Sequence, residues 1–184
     1  MQRPPAACAP TKRSPRATKS LIRASWGPNR KSMSVRIKAL PVAVRVAEEI
    51  PFVGHAMVRA MHARTIEITT EGHLTARGDC IIGVAASRGA AGLSASMKKA
   101  LGSDDARVRF TIVARGCEFS FHANGSKDLT FESATDVVIR TSEFVCGRTI
   151  AIKAESSARE IPRDLVRTLR SPEAAGLLRI EVYA

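Results

Sequence analysis

From Ser34 the chain alternates between apolar and polar positions: Val35, Ile37 and Leu40, then Val42, Val44 and Val46, fall at or near every second residue. That is the period of a strand with one buried face, and Pro41 divides the run into one or two strands. Glu48-Glu49-Ile50-Pro51 reads as a polar break, after which Phe52-Val53-Gly54-His55 opens the next element. Further on, Arg77-Gly78-Asp79-Cys80-Ile81-Ile82-Gly83-Val84 is a charged turn running into a strand that is apolar on both faces. The period then changes. Leu93, Met97 and Leu101, and later Ile161, Leu165 and Leu169, stand at i, i+4 and i+8, which predicts two amphipathic helices. Ser94 and Ser96 can cap the first, and Pro162 suits the first helical position, where its missing N–H would have no partner anyway. Gly102-Ser103 and Ser171-Pro172 end them. Each helix leads into an alternating strand, Val108-Phe110-Ile112 and Leu178-Ile180-Val182.

The second half lies on the first. A constant offset of 71 puts residues 54–62 on 125–133 and residues 66–70 on 137–141. After a two-residue deletion, Gly78-Asp79-Cys80-Ile81-Ile82 falls on Gly147-Arg148-Thr149-Ile150-Ala151. A unit of strand, strand, strand, helix, strand thus occurs twice, over about residues 52–114 and 123–184. The fold expected is α+β: two similar units related by a pseudo-twofold axis, packed as a bent or barrel-like mixed sheet with two helices. One duplicated domain would span residues 33–184.

Composition narrows the function. The formal charge of +12 belongs to the amino-terminal segment, because residues 1–32 hold eight of the 29 basic residues and none of the 17 acidic ones. That segment is also rich in Pro, Ser and Ala, which predicts a disordered leader. Three readings of it stand open: a transit peptide, a basic arm for phosphate contacts, or residues upstream of a true start at Met33. Nucleic acid is a conceivable partner only through residues 1–47. Cys8, Cys80, Cys117 and Cys146 form no Cys-x-x-Cys pair, which favours a reducing compartment. No apolar run approaches the ~20 residues of a membrane span, so no membrane partner is expected.

Several blocks together carry a resemblance: residues 77–84, the Gly54-His55 turn with His62 and Thr65, Ala134-Thr135-Asp136-Val137-Val138-Ile139-Arg140, and Phe144-Val145-Cys146-Gly147-Arg148-Thr149. Over about residues 50–184 the chain resembles the mainly archaeal domain-of-unknown-function family 371 (DUF371). The resemblance implies a compact α+β domain in an archaeal, cytoplasmic setting, and it implies no activity. The basic leader is not part of the family pattern.

Candidate chemistry centres on few residues. His55, His62, Asp79 and Cys80 are the catalytic candidates, as a histidine-activated thiol or a His/His/Cys site. Their spacing matches no zinc or cysteine-hydrolase signature, and strand alternation puts Cys80 with Ile82 and Val84 on a core face. No metal site and no cofactor are assigned. The repeat alignment pairs Asp79 with Arg148, which predicts a buried ion pair across the axis. Arg77, Asp136, Arg140 and Arg148 are candidates for binding a small anionic ligand. Small residues before each helix, Ser87-Arg88-Gly89-Ala90-Ala91-Gly92 and Ser156-Ser157-Ala158-Arg159, offer a weaker anion site without the phosphate-loop ending. Arg115-Gly116-Cys117-Glu118-Phe119-Ser120-Phe121 departs from the RNA-stacking motif at its third and fourth positions and reads as a half-buried strand. Two functions remain open: a small-molecule or anion-binding domain, catalytic or not, with a polar site near the axis, or a non-catalytic binding or assembly module, with nucleic acid reached through the basic amino-terminal arm.

Overall fold

Alternation and helical spacing resolve into eight strands and two α-helices among the described residues, 43–75 and 77–183, of the computed structural model. The basic leader, Met33 and the pattern around Val35, Ile37 and Leu40 lie outside those residues. In chain order the elements are β1 (Val44–Val53), β2 (Thr65–Thr69), β3 (Ile81–Gly83), α1 (Ala95–Leu101), β4 (Arg107–Ala114), β5 (Cys117–Asn124), β6 (Asp136–Arg140), β7 (Thr149–Ala151), α2 (Arg163–Leu169) and β8 (Ala175–Tyr183). A 3₁₀ turn precedes each helix, Ala90–Gly92 and Ala158–Glu160. The class is α+β.

The strands make two four-stranded sheets, ordered β1-β8-β4-β5 and β3-β2-β6-β7. The first is antiparallel throughout. The second has an antiparallel centre, β2 with β6, and a parallel strand on each flank. The expected barrel-like sheet is therefore corrected, because the sheets do not close. They are joined by isolated bridges, Val53 to Val84 and Asn124 to Ile152. The physical reason follows directly after each bridge. Ala85 (φ 48°) and Lys153 (φ 51°) are left-handed, so the chain turns away before a second ladder rung can form.

The polar break expected at residues 48–51 is instead the middle of β1. Ile50 enters the core, while Glu48 is held by Arg88 at 2.6 Å and Glu49 by Arg179 at 2.8 Å. Pro51 is tolerated because β1 is an edge strand. Next to it, Phe52 fills a slot made by two glycines. A Cβ on Gly83 or Gly176 would come within 2.0 or 2.3 Å of the Phe52 ring.

One apolar core joins the inner faces of both sheets with the helices: Ile50, Phe110 and Ile180 from the first sheet, Ile66 and Ile139 from the second, and Met97 and Leu165 from the helices. Ser94 caps α1 by accepting the Met97 N–H, and Pro162 is the N-cap of α2. The helix ends are held reciprocally. The turn after β1 donates the His55 N–H to the Leu169 carbonyl at the end of α2, and the turn after β5 donates the Ser126 N–H to Leu101 at the end of α1. Gly54 and Gly125 sit too close to those ends for any side chain, with a Cβ falling 2.4 and 2.1 Å from the Leu169 and Leu101 oxygens.

Candidate functional site

The second sheet has an unusual outer face. In β2, Ile66 and Ile68 point to the core, so Thr65, Glu67 and Thr69 face the other way, yet none of the three is more than 7% exposed. In β6 the same alternation turns Val137 and Ile139 inward and Asp136, Val138 and Arg140 outward. Register sets Thr65 opposite Arg140, Glu67 opposite Val138 and Thr69 opposite Asp136. A carboxylate thus occupies the centre of a nearly buried polar face.

Leaving Glu67 unpaired there would be costly. Its two oxygens are taken from two sides: Arg148 Nη1 donates to Oε1 at 3.2 Å, and the Cys80 thiol donates to Oε2 at 3.2 Å. The same Arg148 nitrogen lies 3.6 Å from Asp136 Oδ2. Beside this group, Arg140 Nε donates to Thr149 Oγ1 at 3.1 Å and its Nη2 to Cys146 Sγ at 3.4 Å, while the guanidinium stacks on the exposed Phe144 ring. Thr149 Oγ1 also accepts the Cys146 N–H at 3.2 Å and lies 3.4 Å from Cys146 Sγ.

The two thiols are driven in opposite directions. Burial, then the charge and hydrogen bonding of Glu67, push Cys80 from 9.0 up to about 12, so it stays a hydrogen-bond donor. At Cys146 burial also pushes upward, but hydrogen bonds from Thr149, the Arg148 main chain and Arg140 outweigh it, bringing the thiol down to about 7. Partial burial disfavours the charge on Arg148, yet Glu67 and Asp136 more than offset this and hold it more firmly protonated than usual. The cluster can therefore present a thiolate and guanidinium groups side by side near neutral pH.

Of the residues singled out in the sequence, Asp136, Arg140, Arg148 and Cys80 come together here. Cys80 is half-buried and hydrogen-bonded to Glu67, which corrects its reading as a plain core residue. The expected Asp79–Arg148 pair is also corrected: Asp79 faces Arg59 at 3.3 Å, and Arg148 faces Glu67 and Asp136. The main chain sets these partners: the Arg148 carbonyl accepts the N–H of Val138, which lies opposite Glu67, whereas the Asp79 carbonyl accepts the Met61 and His62 N–H groups on the side of Arg59.

The histidines serve their own turns. His55 Nδ1 accepts the Met57 N–H at 3.1 Å and His62 Nδ1 the Arg64 N–H at 3.2 Å. Arg77 is exposed in the loop before β3. Among the described residues no three His, Cys, Asp or Glu side chains converge as a metal-binding group. In the loops before the helices, Ala91 N–H is spent on the Ser133 carbonyl and Ser157 forms a capping box with Glu160. The Arg115-Gly116 stretch is a hairpin turn into β5, with Cys117 and Phe121 buried and Glu118 exposed. A separate polar depression of about 260 Å³, lined by Asp104, Asn124, Glu143 and Lys153 among others, contains none of the cluster.

Sequence reasoning missed Glu67 and Cys146. Glu67 stands between Ile66 and Ile68, the ordinary pattern of a strand's polar side, and its partner is 81 residues away. Cys146 carried a local signal, a threonine three residues on and an arginine between them, in the turn before β7.

No helix among the described residues is long and apolar enough to cross a membrane. The family model described as Domain of unknown function (DUF371) matches residues 50–183. An uncharacterised protein of Methanocaldococcus jannaschii is 38% identical over 117 residues, which is 64% of this chain and 86% of the relative. The family match begins inside β1, ends at the last residue of β8 and takes in every residue of the polar cluster. The chain belongs to the DUF371 family, a family of unknown function.

Proposed function

We propose that the outer face of the second sheet binds a small anionic molecule, with Arg148 and Arg140 as its cationic contacts. The observation that carries this reading is the state of Arg148. It engages Glu67 and Asp136 through a single nitrogen, Nη1, and lies beside Cys146, while 46% of its side chain remains exposed, so a firmly charged side chain stands open to a ligand next to the thiol. Arg140 adds a second guanidinium on the same face, fixed by Thr149 and by the Phe144 ring.

We also infer that the two halves are copies of one unit about a pseudo-twofold axis through the Glu67–Val138 pair. Equivalent main-chain bonds recur in both halves, including the reciprocal helix-end contacts. On this reading the core positions match in kind, Ile66 with Val137 and Ile68 with Ile139, whereas the outer face diverges: Thr65, Thr69 and Cys80 correspond to Asp136, Arg140 and Arg148. Polar divergence on this face is what a site built on a symmetric scaffold would leave.

The test is a melting-temperature titration with inorganic phosphate, sulfate and citrate on wild type, Arg148→Met and Arg140→Met. An anion that binds the folded state raises the melting temperature with concentration. The rise should be lost in Arg148→Met and reduced in Arg140→Met. An equal rise in all three proteins would contradict the reading.

A further inference from the structure

We infer that Cys146 is the nucleophile of this site and that its substrate is an anionic electrophile, an inference that rests on the anion-binding reading above. Three observations converge. Cys146 Sγ sits within 3.4 Å of both a guanidinium nitrogen of Arg140 and the hydroxyl of Thr149, an arrangement that stabilises the thiolate by charge and by a hydrogen bond. The groups that fix this geometry are themselves fixed: Thr149 is fully buried and also accepts from Arg140 Nε and the Cys146 N–H, so its hydroxyl hydrogen is left to point at sulfur. Finally, the turn before β7 that carries Cys146 also carries Arg148, whose exposed guanidinium would hold a ligand's negative charge beside the thiolate.

Cys80 supplies the internal contrast. It donates to a carboxylate instead of receiving from cations, and Glu67 keeps it protonated. The cations beside Cys146 are Arg140 from β6 and Arg148 from the turn before β7; the carboxylates of Glu67 in β2 and Asp136 in β6 engage Arg148, and that of Glu132, from the loop before β6, lies against the neighbouring Gly147. Its low titration point, about 7, agrees with that balance.

The thiol gives its proton to solvent, the thiolate forms a sulfur–carbon bond, and the carbon's bond to its leaving group breaks, the electron pair departing with the leaving group. No oxidant or reductant is consumed.

The experiment is alkylation of the full chain with iodoacetate, which is anionic, and iodoacetamide, which is neutral, followed by peptide mass mapping across pH. The expected result is modification of Cys146 with a midpoint near pH 7 and little modification of Cys80. Relative to a free thiol, Cys146 should favour iodoacetate by about tenfold, a preference lost in Arg148→Met. Arg140→Lys, which keeps the charge, should preserve most of the neutral-pH reactivity that Arg140→Met loses. If Cys146 reacts at neutral pH without any preference for iodoacetate, the anionic substrate is overturned and the nucleophile stands. A Cys146 that reacts only above about pH 8.5, like an ordinary thiol, overturns the inference itself.

Discussion

Arg148 Nη1 donates to Glu67 Oε1 at 3.2 Å, linking β2, one of the two central strands of the second sheet, to the turn that opens β7. Glu67 is nearly buried and Arg148 is half in water, so the pair has an inside and an outside. Removing the arginine strands the carboxylate. Arg148→Met should destabilise the fold by about 1–3 kcal/mol, below the range for a fully buried pair because water can reach the gap. Adding Glu67→Gln should recover most of that loss. Urea denaturation of the two single variants and the double variant measures the coupling.

The two thiols should give stability opposite dependences on pH. Cys80 is raised from 9.0 to about 12, so the folded state holds its proton more tightly than the unfolded chain. Its contribution is complete below pH 9 and is lost as pH rises toward 12. Cys146 is lowered from 9.0 to about 7, so its contribution is complete above pH 9 and is lost as pH falls through 7. Denaturation curves from pH 6 to 11 should show a gain from 7 to 9 that Cys146→Ser abolishes, and an alkaline loss that Cys80→Ser flattens. Serine at position 80 can still donate to Glu67.

The reciprocal helix ends make another prediction. A methyl group at Gly54 would lie 2.4 Å from the Leu169 and Ser171 carbonyl oxygens, and one at Gly125 would lie 2.1 Å from that of Leu101. Neither contact can be relieved by moving a side chain, since the obstacles are main chain. Gly54→Ala and Gly125→Ala should each cost about 2–3 kcal/mol, read as a lower urea midpoint. Gly72→Ala, where the added carbon meets nothing within 4 Å, is the control.

How much of this was legible in sequence differs by level. The helices could be read because their signals are local: three apolar residues at helical spacing, with Ser94 and Pro162 at the entries. β1 could not, because Glu48 and Glu49 look solvent-bound until Arg88 and Arg179, distant in the chain, are brought alongside. Asp136, Arg140 and Arg148 are readable as ligand-binding candidates from the sequence alone. Their real partners depend on register: the alignment of the two halves pairs Arg148 with Asp79, whereas its carboxylates are Glu67 and Asp136. Glu67 itself was hidden by alternation, which reports that two faces differ and not that the polar face is covered.

The hairpin between β4 and β5 is a two-residue turn, Arg115 and Gly116, with φ of 46° and 80°. Positive φ at both positions matches the turn that favours Asn-Gly, so arginine is strained there. Arg115→Asn should stabilise the protein by about 0.5–1 kcal/mol, seen as a higher urea midpoint, without altering alkylation of Cys146.

The proposed anion site is formed by Arg148 and Arg140 on the outer face of the second sheet. A crystal structure of the protein in inorganic phosphate tests it most directly. A phosphate should lie within hydrogen-bond distance of the Arg148 guanidinium, on the side away from Glu67, and be lost in Arg148→Met. Phosphate bound only elsewhere, or retained unchanged in that variant, would contradict it.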